Sequence, residues 1–159
     1  MSRADPSLWL SDRPVTVAVA GVSMAPFLLE GDHVDVLRAE PRAFHCGDLI
    51  VFLRAGDVVV HRFLANRDGR FLEKGDAQAR GNWAEWPADV GRVVARRRGE
   101  SRLDLMAPPW PSRMARQGRG HLRAHRLAVF ADKVPGGLPR RTLLRLGRLA
   151  ACFRVRSEE

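Results

Sequence analysis

Three observations predict a mainly β fold, a small coiled sheet or barrel carrying a basic helical extension at its C-terminal end. Short apolar runs with period-two alternation recur up to about residue 95, Gly-Asp pairs punctuate them, and beyond Met106 the chain turns Arg-rich with helical spacing. The predicted layout is an N-terminal arm over 1–14, a β domain over 15–106, and a linker with an Arg-rich helical tail over 107–159.

The elements follow in order. Val15-Thr16-Val17-Ala18-Val19 alternates and is rich in β-branched residues, which predicts a strand running into Gly21, where the backbone can turn sharply. Gly31-Asp32 is a turn pair, and His33 to Leu37 has the apolar alternation of a half-buried strand. Gly47-Asp48 opens the run Leu49 to Leu53, Ala55-Gly56-Asp57 separates it from Val58 to Leu64, and the pair predicts a hairpin. Asp68-Gly69 favours a type I′ turn, with Arg70 to Glu73 returning as a strand that ends at Lys74-Gly75-Asp76. Ala77 to Pro87 is polar and turn-like apart from Trp83 and Trp86, and Val90 to Ala95 is the last predicted strand. Pro108-Pro109-Trp110-Pro111 predicts a linker, with helix beyond about residue 111.

With 159 residues the chain can bury well over half of its unfolded surface without staples. Its net charge of +9 is uneven: residues 1–90 hold 10 basic and 13 acidic side chains, whereas 91–159 hold 17 and 5. A cationic half of this size suits phosphate or anionic lipid partners. In the tail, Leu143, Leu146, Ala150 and Phe153 share one helical face and Arg141, Arg145 and Arg148 another. Such a segment either lies on an anionic membrane or packs its apolar face on the β domain. Cys46 and Cys152 lack CxxC spacing and are read as thiols. Val15 to Leu29, the longest uncharged run, is too short to span a bilayer, and Asp5, Asp12 and Arg13 interrupt any leader. The expected location is cytoplasmic, with peripheral membrane contact of the tail as the alternative to its packing on the β domain.

The chemistry rests on Ser23. A serine hydroxyl needs a base within hydrogen-bond reach. Among His33, His45, His61, His121 and His125 the best placed is His61, whose strand neighbours fix its direction. Ser23 by itself reads as a loop serine, and His61 as an ordinary strand histidine. His33, His45 and Cys46 lack a zinc-motif spacing, so neither a metal nor a cofactor is expected.

Taken together, Gly21-Val22-Ser23-Met24-Ala25-Pro26, Glu30-Gly31-Asp32, Gly47 to Phe52, Val60-His61-Arg62-Phe63 and Lys74-Gly75-Asp76 resemble, in order and spacing, the successive boxes of type I signal peptidases. The resemblance covers roughly residues 15–95. It implies the fold of the signal-peptidase and LexA-like serine peptidases, in the histidine-base variant of the endoplasmic-reticulum and sporulation types, here without a membrane anchor. It implies Ser23 as nucleophile, His61 as base and Asp76 as the residue orienting His61. A second aspartate of the family pattern has no counterpart, Asn82 standing near its position. Gly21, where many bacterial relatives carry a serine, is similar to the LexA-like branch and implies a backbone oxyanion hole with Gly21 allowing close approach, supported by the Met24-Ala25-Pro26 turn. The implied function is a serine endopeptidase that binds a peptide or protein substrate as an extended strand, signal-peptide processing being the family activity. The alternatives are a LexA-like regulatory autoprotease, with nucleic acid the less favoured partner, and a non-catalytic binding module. Ala18-Val19-Ala20 is a candidate self-cleavage site.

Overall fold

The computed structural model describes residues 13–132. Eight antiparallel strands form one sheet: β1 (Val15–Ala18), β2 (His33–Arg38), β3 (Leu49–Arg54), β4 (Asp57–Arg67), β5 (Arg70–Lys74), β6 (Asn82–Glu85), β7 (Val90–Arg98) and β8 (Ser101–Asp104). One helix, α1 (Trp110–Ala131), follows. The strand order is β1-β2-β7-β3-β4-β5-β6, with β8 also paired to β7. The mainly β expectation holds. The amphipathic segment over 138–156 and Cys152 lie outside the described residues.

Local chemistry explains the two central hairpins. Arg54 pairs with Asp57 and Arg67 with Arg70, so each turn has two residues, and all four take positive φ: Ala55 52°, Gly56 88°, Asp68 52° and Gly69 72°. That is the type I′ geometry, whose twist matches the flanking strands. The sequence pattern does not announce β6 and β8. β6 falls inside the segment read as turn-like, and Trp86 just beyond it packs on the rings of Phe71, Phe44 and Phe63, with centroids 4.6, 5.7 and 5.8 Å away.

The two faces of the sheet carry separate cores. One gathers Val19, Met24, Phe27, Leu28, Val34, Leu49, Val51 and Met114; the other gathers Phe44, Ile50, Phe52, Phe63, Phe71 and Val90. Period-two alternation sends Ile50 and Phe52 to one side of β3, and Leu49 and Val51 to the other.

The helix is part of this body. Along its inner face Trp110 meets the Phe27 ring edge-on, Met114 and Gly118 are buried, and His121 and His125 reach the β5–β6 region. A Cβ on Gly118 would lie 2.5 Å from the Gly47 backbone, and one on Gly47, where φ is 108°, only 2.1 Å from the Met114 carbonyl oxygen. Two glycines therefore set the approach of helix to sheet. Gly47→Ala should cost about 1–3 kcal/mol from overpacking alone, with backbone strain added; urea denaturation checks it.

Folding also redraws the charge distribution. Arg97 and Arg102 pair with Asp35, Arg98 with Asp32 and Arg92 with Asp48. Four of the ten arginines in residues 91–132 are thus matched to acids of the first half. Among the described residues an unmatched positive run lies on the outer face of α1, at Arg116, Arg119, Arg123 and Arg126. No helix among the described residues is long and apolar enough to cross a membrane.

Candidate active site

The loop after β1 carries Ser23. Val19 N–H donates to the Asp32 carbonyl (2.8 Å), and Gly31 N–H donates back to the Val19 carbonyl (3.1 Å). These bonds hold Ala18-Val19-Ala20 in place, which disfavours self-cleavage there. Gly21 has φ 83°, and a Cβ added to it would meet nothing within 4 Å. It is needed for its backbone conformation, and within the chain itself a close approach to the Ser23 backbone occurs at Gly75. Met24 is buried and anchors the turn, and Ala25–Pro26 is a cis peptide.

Ser23 is half-buried at the end of β5. Its carbonyl accepts the Ala77 N–H at 2.9 Å, and a Cβ on Gly75 would come within 2.6 Å of that same oxygen. This bond ties the loop following β1, one edge of the sheet, to the segment leading into β6, the other edge. Among the described residues no hydrogen bond joins Ser23 to His61.

His61 lies on β4 opposite Ile50 and is 4% exposed. Its Nδ1 pairs with Glu73 Oε2. Glu73 is fully buried, and burial works against its charge, but the hydrogen bonds from His61 and Arg54 prevail and hold its pKa below the ordinary value. An ionised carboxylate only accepts, so the proton sits on Nδ1 and Nε2 is the nitrogen left for another partner.

Asp76 is not the residue that orients His61. Arg62 binds it through two bonds, Nε to Oδ1 at 2.8 Å and Nη2 to Oδ2 at 2.6 Å, and a third Arg62 nitrogen donates to the Gly47 carbonyl at 2.7 Å. The reason is register. Counting back from the Asp68-Gly69 turn, unbroken pairing sets Asp76 across from His61; a bulge at Leu64 shifts it, so that Phe63 meets Glu73 and Arg62 meets Lys74. Because facing side chains alternate, this shift sends Glu73 to the His61 side and Asp76 to the Arg62 side.

The Arg62 side is a buried polar network that the sequence did not reveal. Lys74 Nζ donates to the Gly75 carbonyl (3.2 Å) and to His121 Nδ1 (2.9 Å), and His121 Nε2 lies 3.3 Å from Asp76 Oδ1. Burial pushes Lys74 down to about 8 and His121 down to about 4. His121 is therefore neutral at pH 7, its Nδ1 accepting from Lys74 and its Nε2–H turned to Asp76. Gly81 N–H donates to His125 Nδ1 at 3.1 Å, which extends the seam.

These shifts set a pH dependence. The unfolded chain protonates His121 near 6.5, the folded one only near 4, so between those values the unfolded state binds more protons and acid destabilises. The lowered carboxylates of Glu73, Asp32 and Asp35 act in the same sense at lower pH. The expected result is a denaturation midpoint that falls from pH 6.5 to 4, with a slope of up to about 1.4 kcal/mol per pH unit from His121 alone. A His121→Phe variant should reduce the slope in that window, leaving the part due to His125, whose pKa burial also lowers. An unchanged slope would remove His121 as the cause.

Among the described residues no group of three His, Cys, Asp or Glu side chains could hold a metal. No protein-family model, curated protein or solved structure matches this chain.

Proposed function

We propose that the protein is a serine endopeptidase of the signal-peptidase and LexA-like type, acting through Ser23 and His61. The observation that supports this reading is that the Ser23 carbonyl is tied to the segment Gly75–Ala77, which directly continues the strand paired with β4, Lys74 lying opposite Arg62, the neighbour of His61. The order of these segments along the chain supports the same reading.

In this mechanism His61 Nε2 takes the Ser23 hydroxyl proton as Oγ attacks a peptide carbonyl, and returns it to the leaving amine as the C–N bond breaks. Water, deprotonated by the same nitrogen, then hydrolyses the acyl-enzyme. The missing Ser23–His61 bond is compatible with this chemistry, because catalytic hydrogen bonds often tighten only with substrate bound. Among the described residues β1 and β6 each pair with a strand on one side alone, and such an edge can read a substrate strand.

The test is to incubate the protein with a peptide library and locate cuts by mass spectrometry, beside labelling with a fluorophosphonate. Cleavage and labelling that both vanish in Ser23→Ala support the reading. A folded wild type that neither cuts nor labels would leave a binding module on this fold, and cutting confined to its own chain would favour the regulatory autoprotease.

A further inference from the structure

A histidine that serves as a base toward a serine must carry its proton on the far nitrogen, and it must be held in that orientation. In the described structure one group meets His61 Nδ1, and that group is Glu73. Its other oxygen, Oε1, accepts from Arg54 Nη2 at 2.5 Å and from Asn82 Nδ2 at 3.2 Å. Arg54 is itself steadied over the Phe52 ring, 5.1 Å from its centroid. The carboxylate is thus gripped from two sides, without solvent contact, with one oxygen reserved for the imidazole.

We infer that Glu73 is the positioning carboxylate of His61, supplied from strand β5 in place of the aspartate that the sequence pattern leads one to seek at Asp76 or near Asn82. This rests on the peptidase reading of Ser23 and His61 and adds to it a third member. Asn82 supports the geometry differently from an aspartate there: it donates its amide to the carboxylate. A carboxylate at both 73 and 82 would set two negative groups side by side in a buried place.

The arrangement makes a sharp prediction for Glu73→Gln. Arg54 and Asn82 both donate to the Oε1 position, so the glutamine must place its carbonyl oxygen there and turn its NH2 toward His61. Two donors cannot face each other, hence Nδ1 loses its proton and Nε2 gains it. That tautomer cannot accept from Ser23. Glu73→Gln should lower kcat by roughly 10⁴-fold with KM little changed, the loss expected when a triad carboxylate becomes an amide.

The experiment pairs kinetics with proton NMR. In wild type and in Ser23→Ala a strongly deshielded Nδ1–H resonance of His61 is expected, and it should vanish in Glu73→Gln. Arg54→Met, at an exposed side chain, serves as the second variant: it loosens the grip without replacing a buried group, and should broaden the resonance and lower kcat about tenfold, as positioning losses do. A resonance that survives Glu73→Gln, or a wild-type kcat in that variant, overturns the assignment. Cleavage that requires Ser23 but not Glu73 keeps the peptidase and removes this inference; a Glu73-dependent resonance in a protein that cuts nothing keeps the pairing and removes the peptidase.

Discussion

Ser23→Ala, His61→Ala and the double variant are each expected to lower kcat/KM by about the same factor, roughly 10⁶, because nucleophile and base act as one unit and losing either removes the whole contribution. Additive losses would mean that the two residues act independently, and the proposed mechanism would fail. The readout is steady-state cleavage of a peptide chosen from the library, with circular dichroism to show that each variant folds. Ser23 is half-buried in a loop held by its backbone, so its hydroxyl can be removed with little effect on stability. A residual rate well above that of water is expected in all three, since substrate binding and backbone donors remain.

Arg62→Leu should produce the largest loss of stability, about 3–5 kcal/mol, because it strands the Asp76 carboxylate in the interior. Typical domains have a total stability of only about 5–15 kcal/mol. Arg62 is fully buried; besides Asp76 and the Gly47 carbonyl, it stacks over Phe27 at 5.2 Å from the ring centroid. Adding Asp76→Leu should recover a large part of the loss, since the remaining Lys74, already down to about 8, can shed its proton. Urea denaturation of the two single variants and the double gives the coupling directly. A single-variant loss below about 1 kcal/mol, the range of a surface pair, would show that the network is hydrated and contributes little.

Much of this architecture can be read from the residues, and the gaps have physical causes. β1 to β5 and β7 announce themselves through alternation, and the two type I′ turns through Gly and Asp. β6 is four residues long, and what identifies it is Trp86 landing on Phe71, a contact made by the fold. β8 is hidden because Ser101-Arg102-Leu103-Asp104 follows three arginines, and the charges that make it look like a solvated loop are the ones that bind Asp35. The helix begins at Trp110, one residue before the predicted start, with Pro111 in its first turn, where a missing N–H does no harm.

At the proposed site, the candidates Ser23 and His61 were legible because their neighbours form ordered boxes. Glu73 was not: in Arg70-Phe71-Leu72-Glu73 it reads as the solvent-facing end of a strand. Its available signal was that it shares a face with Phe71, two residues away, and so points to the aromatic side where His61 and Phe63 lie. Using that signal required knowing the bulge at Leu64, and nothing local in the sequence marks a bulge that lacks a glycine. Asp76 misled for the complementary reason. Linear charge counts likewise cannot see that Arg97 and Arg98 fold back on Asp35 and Asp32.

The glycine pair at 47 and 118 bears on how such a protein can be inherited. Helix and sheet touch there backbone to backbone, and on either side of the contact the helix supplies Trp110 to Phe27 and His121 to Lys74. A recombination breakpoint at residue 106, where the composition changes, would hand the recipient a set of strands with Lys74 and Asp76 opened to water and one core face uncovered. The portable unit therefore runs through Ala131, and shuffling that moves these strands into a new gene has to carry the helix along.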